Sequence, residues 1–233
     1  MTKELVEKLK GHTDHVLGLY LLLAEKYALI DPMFFGKRVV RRFGVAERAR
    51  GFDLIRKAVY FGCLQDLANI CFDRHDKTPS ISKLVGKLRL LEIQKLLRDN
   101  YSQYPINTKN SDPNIRASLQ KYRAQQEAKL AERFDRELKS LIRRWDRFAT
   151  TPRARAFESI RDKITAHFEL EKTDGVYGYV PVSRFDLRWS DLRRTITELR
   201  PIVEILNSLI RNAGMDVKST IAQHNRYGKG FWK

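Results

Sequence analysis

Over residues 2–30 the apolar positions Leu5, Val6, Leu9, Val16, Leu19, Tyr20, Leu23 and Tyr27 recur three and four apart, the spacing of one face of an α-helix. Asp31-Pro32 is expected to stop that helix. A short helix over 34–43 follows, then a long one over 46–72 with Phe52, Ile55, Val59, Leu64, Leu67, Ala68 and Cys71 facing inward. The next helix is capped by Ser80 or Ser82 and carries Leu84, Leu88, Leu91, Ile93, Leu96 and Leu97. Asp112-Pro113 opens another, in which Asp caps and Pro takes the first turn, and no Pro or Gly interrupts residues 114–148. Its middle is charged with thin apolar content, so it is read as a long surface helix.

Thr151-Pro152 repeats the cap-then-proline signal and launches a helix through AFESIRDKITAHF. The texture then changes. Gly, Pro and alternating Val and Tyr suit a small β-hairpin or an irregular loop near residues 173–189. Ser190 caps a last long helix to residue 212, with Ile196, Leu199, Ile202, Val203, Leu206, Leu209 and Ile210 inward, and the tail ends in RYGKGFWK. The sum is an all-α chain, an antiparallel helical bundle of five or more helices. Residues 1–213 read as one helical domain and 214–233 as a basic C-terminal tail; no repeat or long linker divides the chain.

Charge and composition narrow the function. The 233 residues carry 45 Lys and Arg against 28 Asp and Glu, a formal charge of +17. Such a balance suits a polyanionic partner, and for a chain expected in the cytoplasm the most available polyanion is nucleic acid. No membrane role is expected. The best apolar stretch, 16–30, is broken by Glu25 and Lys26 and falls short of the roughly 20 apolar residues of a spanning helix. Cys63 and Cys71 on one helix would stand roughly 12 Å apart, too far for a disulfide. Zinc-ligand spacing, GxGxxG, GxxxxGK and GxSxG strings do not occur, and the carboxylates alternate with Lys and Arg at helix-surface spacing. No cofactor and no metal are therefore expected.

Of the five histidines, His12 and His15 fall on the first helix, His75 in a loop and His224 in the tail. His167 differs in closing the string Arg161-Asp162-Lys163-Ile164-Thr165-Ala166-His167. An RNA phosphodiester is cut without metal when a histidine moves protons to and from the reacting oxygens while an arginine holds the phosphate. Arg161 and His167 supply those parts, Asp162 can orient either one, and Lys163 adds a phosphate contact from the same helix face as His167. Six residues of helix are about 9 Å of rise and roughly 120° of rotation, so one chain makes a loose site. Two copies of this helix packed about a two-fold axis would close it, so a homodimer through residues 161–167 is expected. Arg143, Arg144, Arg147, Arg153 and Arg155 precede the string, and Tyr177, Tyr179, Phe185, Arg188 and Trp189 follow it. That mixture of cations and rings tracks and stacks a single strand.

The RDKITAH string, late in an all-helical chain of this size, resembles the signature of the HEPN superfamily: Arg, four to six residues, then His, commonly with Asp or Asn after the Arg. The order of features, with long helices ahead, an SISKL helix start at Ser80 to Leu84, the string, an aromatic loop and a final helix, resembles its abortive-infection AbiU-like branch. The resemblance implies dimerising helical bundles, metal-independent RNA cleavage to a 2′,3′-cyclic phosphate, and a part in phage defence or as a toxin, with an antitoxin or other defence-system partner. Toxins of a related branch carry a modifiable tyrosine two residues past the histidine; here that residue is Glu169, so tyrosine modification is not implied. The alternative is a non-catalytic helical module that binds nucleic acid or assembles through the same basic surface.

Overall fold

The computed structural model describes residues 2–45, 47–73, 75, 77–106, 113–160, 170–173, 176–179 and 186–233. Its elements are α1 (Thr2–Phe35), α2 (Lys37–Phe43), α3 (Arg48–Phe72), α4 (Ile81–Leu88), α5 (Leu91–Ser102), α6 (Pro113–Ala149), α7 (Pro152–Ile160), β1 (Leu170–Thr173), β2 (Val176–Tyr179), α8 (Trp189–Arg211) and α9 (Val217–Phe231). The protein is an all-α bundle with one small antiparallel hairpin, in which Leu170 pairs with Tyr179 and Thr173 with Val176. The hairpin begins a few residues before the stretch where the sequence texture suggested one. No helix among the described residues is long and apolar enough to cross a membrane.

α1 is the central strut, packed most extensively against α9 and then against α3 and α8. Its periodic stripe explains why: Leu9, Val16, Tyr20, Leu23, Ile30 and Met33 are all but inaccessible. Tyr20 donates its hydroxyl to the Ile196 carbonyl of α8 at 2.7 Å, which satisfies the one polar atom of a buried ring. Phe134 and Leu141 of α6 and Leu199 and Leu206 of α8 close the other side of the same core.

Four expectations are corrected. α1 does not stop at Asp31-Pro32 but runs to Phe35 with Pro32 inside it. Proline cannot donate to the carbonyl four residues back, so the Ala28 oxygen loses its helical partner, and α9 docks at that point. The segment read as a basic tail is helical over residues 217–231, with Val217 and Gly228 buried. A Cβ on Gly228 would stand 2.1 Å from the Ala28 oxygen, so only glycine allows this approach. Trp232 fastens the end by donating Nε1–H to the Leu29 carbonyl at 2.6 Å. The single helix expected after Ser80 is two. Leu90 takes extended dihedrals between α4 and α5, and the Gln94 side chain donates to the Leu88 carbonyl that the break exposes. Finally, Ile55 and Leu91, expected inside, are 55% and 81% exposed; Leu91 is the first residue of α5, and Ile55 lies on a face of α3 where Leu54 is exposed as well.

Local signals held elsewhere. The Ser80 hydroxyl accepts from Lys83 N–H at the start of α4, and Thr151 accepts from Ala154 N–H at 3.1 Å at the start of α7. α8 opens at Trp189, one residue before the expected cap, with the Asp191 carboxylate accepting the Arg188 N–H at 2.8 Å. Asn212, at φ 51°, ends it in the left-handed conformation that asparagine tolerates.

Candidate functional site

Arg161, Asp162, Lys163 and His167 lie outside the described residues, as does Phe185. Their frame is described on both sides. α7 runs straight up to Ile160 and is held to α3 by Ala154, Phe157 and Ile160, each 1% exposed or less. The hairpin follows the string, and α8 returns beside α7.

The joint between α7 and α8 is ionic. Arg153 of α7 reaches Glu198 of α8 at 2.7 Å and comes within 4.0 Å of Asp191. Its side chain is only 11% exposed, and its Nε and Nη1 have no hydrogen-bond partner. Glu198 is shared with Arg194 at 3.2 Å. On the far flank of α8, Arg193 pairs with Asp31, donates to the Tyr27 hydroxyl at 3.1 Å and lies 4.4 Å from the centre of the Phe35 ring. Burial, then the hydrogen bond to Asp31, pushes the Tyr27 phenol up.

Two hollows flank this joint and share Leu187. One, of about 360 Å³, is polar and lies between Thr151, Arg153, Asp186, Asp191 and Arg194; Asp186 has φ 49°, a left-handed conformation in the loop before α8. The other, of about 730 Å³, is apolar and lies over Leu54, Ala58, Tyr60, Phe61 and Trp189. Trp189 stacks on Phe34 with centroids 4.4 Å apart and meets Tyr60 edge-on at 4.4 Å. Tyr60 reaches the Arg188 carbonyl at 3.3 Å, and burial followed by the nearby Asp191 carboxylate raises its phenol.

The other sequence-predicted residues divide by surroundings. Arg143, Arg144 and Arg147 are exposed on the last turns of α6, Arg155 on α7 and Arg188 before α8. Arg143 shares a shallow groove with Asp135 and Asp146, and Arg144 donates to Ser140. The carboxylates of Asp191 and Glu198 went unnoticed in the sequence, although Arg194 and Glu198 are spaced as a helix ion pair and Asp191 stands three residues after the cap. Among the described residues, no three His, Cys, Asp or Glu side chains gather into a group that could hold a metal ion.

The model of the AbiU2 family, a HEPN family, matches residues 6–231. The chain belongs to the AbiU2 family. As matched, the AbiU2 domain starts in α1 and ends on Phe231, the last residue of α9, so it takes in the terminal helix as well as the RDKITAH string. No curated protein and no solved structure matches this AbiU2 chain.

Proposed function

We propose that this AbiU2-family protein is a metal-independent endoribonuclease acting in abortive infection, and that its site is the RDKITAH string. The observation that carries the reading is the family match, which spans the string from well before Arg161 to well past His167. In the proposed reaction neutral His167 takes the proton of a ribose 2′-hydroxyl. The 2′-oxygen attacks phosphorus, the bond to the 5′-oxygen breaks, and that oxygen leaves with a proton from an imidazolium, giving a 2′,3′-cyclic phosphate. Arg161 holds the phosphate as negative charge builds on it, Asp162 orients the arginine, and Lys163 adds a phosphate contact.

The site closes when two copies of the chain bring their 161–167 segments together, and a defence-system partner would act by keeping them apart or blocking them. Arg147, Arg155 and Arg188, exposed around α7, are suited to the flanking phosphates. Arg153, bound to Glu198, serves to brace α7 against α8.

The test is cleavage of a labelled RNA in EDTA. Wild-type protein should release fragments ending in a cyclic phosphate, and His167→Ala and Arg161→Ala should each abolish release while leaving the helical spectrum and the oligomeric state unchanged. Cleavage that survives both substitutions would overturn the assignment. Salt-sensitive RNA binding with no product from wild-type protein would favour the non-catalytic module.

A further inference from the structure

We propose that α2 and the end of α9 together form a platform for a single RNA strand, separate from the 161–167 string. Two segments far apart in sequence meet here. Arg42 of α2 donates to the carbonyl of Lys233 at 3.2 Å, and the Trp232 ring stands 5.5 Å from Phe43 and 6.3 Å from Phe52. α2 has the sequence KRVVRRF, with Val39 buried and Lys37, Arg38, Arg41 and Arg42 all exposed. Residues 217–233 carry Lys218, Arg226, Lys229 and Lys233 and no Asp or Glu. Lys218 aside, which stands at the start of α9, the platform has seven positive side chains, and neither segment contains an acidic one.

Those charges are not engaged in ion pairs. Among the described residues Lys37, Arg38, Arg41, Arg226 and Lys229 make none, whereas α6 pairs Arg123 with Glu127 and Arg133 with Glu137, and its Asp135 and Asp146 take Arg98 and Arg89. Beside them, Tyr227 and Phe231 stand one helical turn apart on α9, 61% and 70% exposed. Unpaired cations alternating with exposed rings are what a single strand uses, phosphates on the former and bases on the latter.

A lipid surface fits less well. A helix lying on a membrane offers a continuous apolar face, and α9 has already committed Val217, Ile221 and Trp232 to the core. A chain of packed side chains joins the platform to the start of α8. Phe43 faces Phe52 at 6.2 Å, Arg56 lies 5.8 Å from Phe52 and 5.3 Å from Phe34, and Phe34 stacks on Trp189. The platform is thereby linked through packed side chains to Trp189, the first residue of α8. The proposal takes its choice of RNA from the reading above, but its binding test does not depend on cleavage.

The test uses full-length His167→Ala protein and a fluorescent 20-nucleotide single-stranded RNA, with anisotropy read at several salt concentrations in EDTA. Removing four cations together (Arg38→Ala, Arg41→Ala, Arg226→Ala, Lys229→Ala) should weaken binding more than tenfold at about 0.1 M salt and flatten the log–log salt slope by about 2 to 3, at roughly 0.7 for each phosphate no longer neutralised. Tyr227→Ala with Phe231→Ala should weaken binding about fivefold or more with the slope unchanged, and a duplex of equal length should compete poorly. The matched control removes Lys121, Lys129, Arg136 and Lys139 of α6, all exposed, and should change affinity less than threefold. Equal losses from both quadruple variants would overturn the platform, as would tighter binding to acidic vesicles than to RNA or equal competition by duplex. Cleavage abolished with binding intact in His167→Ala protein, by contrast, bears only on the catalytic reading.

Discussion

Gly228→Ala should loosen the terminal helix and destabilise the whole bundle, although alanine is the better helix former. The added methyl would sit 2.1 Å from the Ala28 oxygen and 2.6 Å from the Ala28 carbonyl carbon, where real Cβ atoms essentially never come within 3.0 Å. Both obstacles are backbone, so no side chain can swing aside, and α9 must retreat from α1 by about 1 Å. Overpacking of this kind costs typically about 1–3 kcal/mol, and stretching the 2.6 Å bond from Trp232 to Leu29 adds about 1 kcal/mol. Against these stands a gain of roughly 0.5–1 kcal/mol from replacing a helical glycine. The net is about 2 kcal/mol of destabilisation, or a fall in Tm of about 4–8 °C for a chain of this size. Gly18→Ala is the internal control, because its Cβ would meet nothing within 4 Å inside α1, and it should raise stability by roughly 0.5–1 kcal/mol. Thermal and urea unfolding of the two variants read the signs. A Gly228→Ala protein as stable as wild type would refute the argument that α9 closes on the carbonyl Pro32 leaves free.

Two further outcomes follow from the titratable groups. Burial, then Lys87, Lys8 and Lys83 nearby, lowers the pKa of His12 below 6.5. The native state therefore binds fewer protons than the unfolded one between that lowered value and 6.5, so stability is full above pH 6.5 and declines as pH falls through the window; urea midpoints from pH 8 to 5 should fall less steeply for His12→Gln, and equal slopes would refute the assignment. Cys63 and Cys71 are free and wholly buried, and burial pushes the Cys63 thiol up to about 12 and that of Cys71 higher still. Since the thiolate is the reactive form, neither should react with a thiol reagent at pH 8 until denaturant is added, and rapid labelling of native protein would contradict the burial.

Much of the fold was legible because short-range chemistry decided it. Ser80 and Thr151 cap their helices as their side chains require, and the stripe from Val6 to Tyr27 is buried as its period demands. The misreadings arose where a tertiary partner compensated a local fault. Pro32 looks like a stop until α9 is present to occupy the carbonyls beside it. Residues 217–231 look like a tail because two glycines and several basic residues surround few apolar positions, yet Gly228 is the residue that permits the docking. The break at Leu90 has no Pro or Gly; it separates an α4 that buries Leu84 and Leu88 from an α5 that presents Ile93 and Leu97 mainly to α6. The RDKITAH string was legible only as chemistry, whereas the carboxylates that hold Arg153 could be recognised only once α7 and α8 were side by side.

The distribution of charge separates two jobs that composition merges. Exposed pairs such as Arg123 with Glu127, at 2.7 Å, contribute little stability. Their larger effect is on the field, since each pair cancels a positive charge that would otherwise attract phosphate along the length of α6. Among the described residues the cations of α2 and the end of α9 have no such partners, and the bond from Arg42 to the Lys233 carbonyl brings the two segments together. RNA approaching the protein should therefore be drawn first to that end of the molecule, although more arginines crowd the sequence just before Arg161. Under the proposed function, cations outside the 161–167 string can capture RNA strongly without holding the cleaved product at that string.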